Sequence, residues 1–118
     1  MVLVNTSVWF EHFRSGNIRL KNLLNNGSVA IHQFIIGELA CGNLTNRTEI
    51  LSNLQLLLRV NHAEHDEVKR FIENQALMGK GLRYINTPLL ASAMLGNEPL
   101  WTLDKKLRKV ASELGFVY

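Results

Sequence analysis

Four polar side chains stand at positions where a ligand could bind: Asn5, Glu38, Asn86 and Asp104. Asn5 ends the apolar run MVLV, Asn86 precedes a helical pattern, and Asp104 follows a second apolar run. Ligands of open parallel sheets bind beyond the carboxyl ends of the strands, where residues in such places meet. Each asparagine or aspartate could instead only cap a helix, and Glu38 could lie on a solvent-facing helix side. Their joint occurrence favours a shared polar site.

The elements that must position these residues alternate between short β-rich runs and helical patterns, which predicts a mostly parallel sheet with helices on its faces. The 118 residues suit one α/β domain with a single core. The run Val2–Val4 is continuously apolar, as expected for a strand covered on both faces. Further strands are predicted at 28–31, 100–103 and 116–118, whereas 59–61 is either a short strand or a connection.

Most helical patterns are preceded by a residue that can cap a helix N-terminus. Asn5 or Thr6 caps a predicted helix over 7–14, and Gln33 to Cys41 forms another that carries Glu38 among apolar neighbours. A further helical pattern begins near Thr48. The remaining helices are expected to begin at the caps Asn17, Asp66, Thr87 and Asp104.

Composition places few limits on function. Thirteen basic against ten acidic residues give a net charge of +3, which permits a polyanionic partner without requiring one. The single cysteine, Cys41, lies in an apolar stretch and is expected to be a small core residue in a reducing cytosol. No signal peptide or membrane-spanning run is recognisable, so we expect a cytoplasmic protein without a membrane partner.

Four segments, in order, carry a resemblance to a known family: VNTSVW at 4–9, GELA at 37–40, YIN at 84–86 with LLAS at 89–92, and WTLDKKL at 101–107. Together with the closing LGFVY they resemble the PIN domains of VapC-type toxins over nearly the whole chain. The resemblance implies a three-layer α/β/α Rossmann-like domain. It also implies an endoribonuclease that uses a cluster of about four acids to hold Mg²⁺ or Mn²⁺.

Position by position, the resemblance assigns the metal ligands and catalytic residues to Asn5, Glu38, Asn86 and Asp104, with Thr102 as a neighbouring catalytic hydroxyl. Thr6 is a second hydroxyl that could orient a ligand or a water molecule. Acids suit this role because hard divalent ions prefer anionic oxygen ligands, and the ion must activate water and neutralise charge on the phosphate.

Two of the four positions depart from the family pattern, because Asn5 and Asn86 stand where aspartate is expected. The amide keeps the size of the carboxylate and one carbonyl oxygen, so the fold should survive. It carries no charge and accepts no proton, so metal binding should weaken and nuclease activity should fall severely. We interpret the pair as an inactivation of a toxic protein in the laboratory, with natural decay as the alternative.

Basic residues flank two of the candidate site residues. Lys80, Arg83, Lys105 and Lys106 are close in sequence to Asn86 or Asp104 and are predicted to hold RNA phosphates, unless they are simply solvated surface cations. His62 and His65 do not form a convincing metal site, because no second ligand set of zinc-like spacing exists in the chain.

The resemblance also implies partners, namely a homodimer and a cognate antitoxin that lies across the toxin. Trp9, Phe10 and Phe13 carry more apolar surface than one helix face needs, so they are either core or part of a partner groove. A PIN scaffold without activity that binds antitoxin or RNA is the alternative function. Phosphotransfer chemistry is least favoured, because it needs a nucleophilic aspartate at position 5.

Overall fold

Four short strands form one parallel sheet in the computed structural model, which describes residues 1–118. The strands are β1 (Val2–Val4), β2 (Val29–Ile31), β3 (Leu58–Arg59) and β4 (Leu100–Trp101). Their order in the sheet is β3-β2-β1-β4, and every neighbouring pair is parallel. The predicted α/β class and parallel sheet are therefore confirmed, and all carboxyl ends of the strands lie along one edge.

Seven α-helices and one 3₁₀ turn connect the strands. They are α1 (Thr6–Ser15), α2 (Ile18–Asn25), α3 (Gln33–Ala40), α4 (Arg47–Leu54), α5 (His65–Asn74), the 3₁₀ turn (Tyr84–Asn86), α6 (Thr87–Leu95) and α7 (Lys105–Glu113). No helix has the length and apolar character needed to cross a bilayer.

The core lies where the central strands meet the helices. Every residue of β1 and β2 is buried, as the continuous apolar runs predict for strands with helices on both faces. One cluster of 20 buried apolar residues joins these strands to the helices, with Leu3, Leu20, Ile35, Leu39 and Leu107 among its fully buried members. This main core holds the strand ends in place, and a smaller cluster of three buried residues, Ala63, Val68 and Ala91, lies beside α5 and α6.

Several local predictions are corrected by tertiary structure. The last strand reduces to one parallel bridge between Leu100 and Val117, and the strand predicted at 100–103 ends at Trp101. Cys41 is exposed rather than buried, because it follows α3 on the side away from the inward-facing Ile35 and Leu39.

Two helix starts also differ from the predictions. The N-cap of helix α5 is Glu64, two residues before the predicted cap Asp66, because Glu64 and Glu67 form a reciprocal capping box. Helix α6 includes Thr87, whose hydroxyl donates to the carbonyl of Tyr84, so the 3₁₀ turn shifts the cap position to Asn86.

Candidate active site

The amide oxygen of Asn5 is the acceptor at the centre of the carboxyl edge. Asn5 follows β1, is 6% exposed and caps α1. Its Oδ1 accepts from the Ser7 hydroxyl at 3.0 Å, from the Thr102 hydroxyl at 3.0 Å and from the Ser7 backbone N–H at 3.4 Å. Three donors around one oxygen make an environment that favours an anionic carboxylate at this position.

The two hydroxyl groups around Asn5 are themselves held by the segment after β4. The Ser7 Oγ accepts from the backbone N–H of Leu103 at 3.0 Å, and the Thr102 Oγ1 accepts from that of Asp104 at 3.1 Å. Because each hydroxyl oxygen accepts from a backbone N–H, its proton is free to be donated to the Asn5 oxygen. The segment after β4 is thereby attached to the end of β1.

Glu38 reaches the same edge from helix α3. Its Oε1 accepts a hydrogen bond of 2.8 Å from the hydroxyl of Thr6, the residue next to Asn5. Its other carboxylate oxygen, Oε2, takes part in no hydrogen bond with the protein. Glu38 is partly buried, so this free oxygen belongs to a side chain whose position is already fixed by Thr6.

Asp104 and Asn86 meet in a cleft of about 430 Å³ at the same end of the molecule. Asp104 caps α7, with Oδ1 accepting from the backbone N–H groups of Lys106 and Leu107 at 3.0 and 3.1 Å. The Asn86 side chain makes no capping hydrogen bond. The other residues that line the cleft are Gly81, Leu82, Arg83, Lys105 and Lys106.

All four candidate residues are thus connected to one region at the end of β1. Thr6 links Glu38 to this region, Thr102 links Asp104 to it, and the cleft links Asn86 to Asp104. No three His, Cys, Asp or Glu side chains converge anywhere in the chain, so a metal site here would depend on the amides.

The donors present suit a hard divalent cation in kind, since they are carboxylate and amide oxygens. Glu38 and Asp104 would each supply one oxygen that is not hydrogen-bonded within the protein. Asn5 is different, because its oxygen is already engaged by three donors and its remaining atom is an NH₂ group, which cannot bind a cation. In this orientation the Asn5 side chain therefore offers no free oxygen to a cation.

Comparison with known proteins gives the family. Ribonuclease VapC32 of Mycobacterium tuberculosis, in strains CDC 1551 / Oshkosh and ATCC 25618 / H37Rv, is 40% identical over 116 residues, which cover 98% of this chain and 94% of the relative. The chain belongs to the VapC family. No family model matches the sequence, so membership rests on this extended identity.

Solved structures support the fold of this VapC-family chain. FitAcB from Neisseria gonorrhoeae superposes with a TM-score of 0.64 at 18% identity and covers 95% of this chain and 94% of that one. FitAB bound to an IR36 DNA fragment superposes with a TM-score of 0.61 at 16% identity and covers 95% and 91%. At these identities the likeness shows the fold, and it agrees with the PIN architecture expected of the family.

The predicted RNA-binding cations of this VapC-family chain occupy two environments. Arg83, Lys105 and Lys106 line the cleft beside Asn86 and Asp104. Lys80 instead pairs with Glu113 at 3.1 Å on the exposed surface and does not line the cleft. The first three residues therefore form the basic wall of the cleft, a name we use for them below.

Sequence reasoning missed two residues of the carboxyl edge. Ser7 was recognised only as part of the Asn-Thr-Ser segment, although its spacing of two from a cap is typical of a side chain near the capping oxygen. His32 follows β2, is fully buried and caps α3, with Nδ1 accepting from the Phe34 backbone N–H at 2.9 Å. A histidine is an unusual cap, so nothing local in the sequence pointed to it.

The buried His32 ring is neutral over most of the pH range. Because its Nδ1 accepts a hydrogen bond, the ring proton is on Nε2, which lies 3.1 Å from the Nδ1 of His62. Burial, and secondarily the neighbouring His62, lower the pKa of His32 to about 4. This contact connects the start of α3, which carries Glu38, to the segment that follows β3.

The aromatic residues of α1 divide between core and surface groove. Trp9 is 2% exposed and belongs to the core, yet its indole N–H has no hydrogen-bond acceptor. Phe10 and Phe13 are half-buried, and the Phe10 ring lies so close to Gly42 that an added Cβ would come within 2.7 Å of it. A groove of about 190 Å³ between α1 and α4 is lined by Trp9, His12, Phe13, Leu24, Ile50, Asn53, Leu54 and Leu57.

Proposed function

We propose that this chain is the toxin of a cytoplasmic toxin–antitoxin pair, built as a divalent-metal-dependent endoribonuclease and severely impaired by Asn5 and Asn86. Family membership and a ribonuclease relative support the nuclease class. The observation that carries the rest is the convergence of three hydrogen-bond donors on Asn5 Oδ1, because such a set stabilises a negative charge. An aspartate at position 5 would be ionised there and would present its second oxygen as a ligand.

The chain's residues divide the work in this proposal. Glu38, Asp104 and residues 5 and 86 would hold Mg²⁺ or Mn²⁺, which supplies a Lewis acid and a water molecule of lowered pKa. Arg83, Lys105 and Lys106 hold the RNA phosphates by charge, and Thr102 and Ser7 fix the side chain at position 5. Neither asparagine accepts a proton, so the unaltered chain lacks the two carboxylates that the proposed mechanism needs at positions 5 and 86.

RNA cleavage by the unaltered chain and by the N5D/N86D double variant tests this function. We expect cleavage by the double variant with Mg²⁺ or Mn²⁺, none with EDTA, and activity at least about 100-fold lower in the unaltered chain, since each 1.4 kcal/mol of lost stabilisation is a factor of ten. Adding E38Q to the double variant should abolish the gain. Strong, equal cleavage by both chains would show that the site is misassigned.

A scaffold that binds antitoxin or RNA without cleaving is the second candidate function. The amide NH₂ of Asn5, which cannot ligate a cation, favours it for the chain as it stands. Calorimetric titration with Mn²⁺ separates the candidates, because an impaired nuclease retains weak binding that depends on Glu38 and Asp104. A scaffold gives no heat of binding in the unaltered chain or in the double variant.

An antitoxin and a second copy of the chain are the protein partners that we propose from family membership. The groove between α1 and α4 fits an apolar peptide segment, because six of its eight lining residues are hydrophobic. Light scattering on the chain alone, and on the chain co-expressed with its antitoxin, gives both stoichiometries. A strictly monomeric chain that gains no mass on co-expression would contradict both partners.

A further inference from the structure

Tyr84 is an exposed aromatic side chain with no role in the core. It is 48% exposed and belongs to neither of the hydrophobic clusters of the molecule. The other tyrosine, Tyr118, packs against the core, and its ring is covered by the Arg19 guanidinium at 4.3 Å. Folding therefore accounts for Tyr118 but leaves the exposed ring of Tyr84 unexplained.

The Tyr84 ring is nevertheless held in place. Its hydroxyl oxygen lies 2.6 Å from Nδ1 of His65 at the start of α5, and the two rings meet edge to face with centroids 5.6 Å apart and planes at 62°. The exposed fraction of about one half is consistent with a ring that has one side covered by the protein and the other open to solvent. A fixed, half-open ring loses little conformational entropy on stacking against a ligand.

The position of Tyr84 places this ring beside the candidate active site. A 3₁₀ turn has three residues per turn, so Arg83 and Asn86 lie above one another, and both line the cleft with Asp104. Tyr84 is the residue between them that follows Arg83, and consecutive Cα atoms are about 3.8 Å apart. Its side chain is turned about 120° away from those two residues, because a 3₁₀ turn has three residues per turn. The ring lies against His65 at the start of α5, outside the lining of the cleft and one residue along the chain from Arg83.

We propose that Tyr84, positioned by His65, is a stacking surface for an unpaired base of the RNA strand whose phosphates lie along Arg83, Lys105 and Lys106. The proposal rests on the RNA-directed function above and adds a base-binding subsite to it. Protein aromatic rings bind bases that are free of pairing and stacking, while nearby cations hold the backbone. The substrate class that fits is RNA that is single-stranded next to the bound phosphate.

Fluorescence anisotropy with a labelled, short single-stranded RNA in EDTA tests the subsite without requiring catalysis. Loss of one base stack weakens binding by about 5- to 150-fold, so we expect Y84L to raise the dissociation constant within this range. Y84F keeps the ring but loses the hydrogen bond to His65, and we expect a smaller loss of RNA affinity than in Y84L. The same strand annealed to its complement should bind Y84L and the unaltered chain equally.

An identical substitution at the other tyrosine, Y118L, is the matched control and should leave RNA affinity unchanged. Replacing the nucleotides of the probe with abasic ones, one at a time, should reveal a single position at which Y84L no longer weakens binding. Unchanged affinity in Y84L, equal sensitivity of the duplex, or no RNA binding by the unaltered chain would each overturn the subsite. Failure of N5D/N86D to cleave RNA would overturn the nuclease function separately, since this binding assay uses neither metal nor activity.

Discussion

Asn5 and Asn86 are the same residue type in two opposite environments. Asn5 is 6% exposed and its oxygen accepts from three donors, two of them hydroxyl groups that are held in turn by the segment after β4. Asn86 is half-buried in an open cleft, and its side chain caps nothing. The first amide is fixed by the fold, whereas the second is free to turn either of its ends toward a ligand.

In the proposed metal site, asparagine in place of aspartate would therefore have different chemical consequences at the two positions. At position 5 the fixed oxygen leaves only an NH₂ group for a cation, so the proposed site would lack a ligand atom as well as a charge. At position 86 the amide can still offer its carbonyl oxygen, so mainly charge is lost. Both residues preserve the fold, but for different reasons: Asn5 keeps its hydrogen bonds, and Asn86 has none to lose.

The largest expected effect is on metal affinity in the single variants. N5D should raise Mn²⁺ affinity by about 100-fold, because a charged oxygen replaces an NH₂ group, and tenfold corresponds to about 1.4 kcal/mol. N86D should raise it by only about tenfold, because a neutral oxygen is already available there. Calorimetric titration of the two variants and the unaltered chain measures both changes.

Glu38 provides the control for this comparison. The E38Q substitution should remove most of the gain in either variant if all these residues address one cation. An equal or greater gain in N86D would show that the amide of Asn5 is not fixed in the orientation that its hydrogen bonds indicate.

The second prediction concerns His32, a buried residue at the carboxyl edge, and the dependence of protein stability on pH. The pKa of His32 is about 4 in the folded protein against 6.5 for the ordinary imidazole, so only the unfolded chain binds the proton between these values. Stability is therefore complete above about pH 6.5 and falls as the pH drops toward 4. Between pH 7 and pH 5 we expect His32 to account for a loss of about 2 kcal/mol in the free energy of unfolding.

Urea unfolding of the unaltered chain and H32N at the two pH values measures this loss. Asparagine is a good N-cap that does not titrate, so H32N should lose about 2 kcal/mol less than the unaltered chain on going to pH 5. Identical pH dependence of the two proteins would mean that His32 is protonated in the folded state as readily as in the unfolded one.

Local sequence predicted the features of the fold that depend on neighbouring residues. The buried strands β1 and β2 and the caps Asn5 and Asp104 were predicted because an apolar run and a capping side chain act within a few residues. Features set by distant contacts were predicted less well. The last strand shrank to a single bridge with Leu100, and Cys41 turned outward because α3 buries its other side.

The candidate site shows the same division. Its four principal positions were predicted from their places at the ends of elements and on a helix, and the family resemblance gave them their expected roles. Hydrogen bonds through Thr6 and Thr102 bring three of them to the end of β1. The contacts that hold the site in place could not be predicted from the sequence, because their partners are far apart in the chain. Ser7 accepts from the backbone of Leu103, 96 residues away, and His32 contacts His62, 30 residues away. No local pattern encodes such pairs.

The smallest expected effects are on stability, and they compare the surroundings of Asn5 with those of Asn86. T102V removes the hydroxyl that donates to Asn5 and accepts from the Asp104 N–H, at a residue 3% exposed, and should cost about 1–2 kcal/mol. N86A removes a side chain with no capping hydrogen bond and should cost less than about 0.5 kcal/mol. Urea denaturation measures both, and T102S, which keeps the hydroxyl, should restore most of the loss. If T102V and N86A were equally stable, the hydrogen bonds around Asn5 would contribute nothing to folding, and the contrast between the two asparagines would reduce to their chemistry toward a ligand.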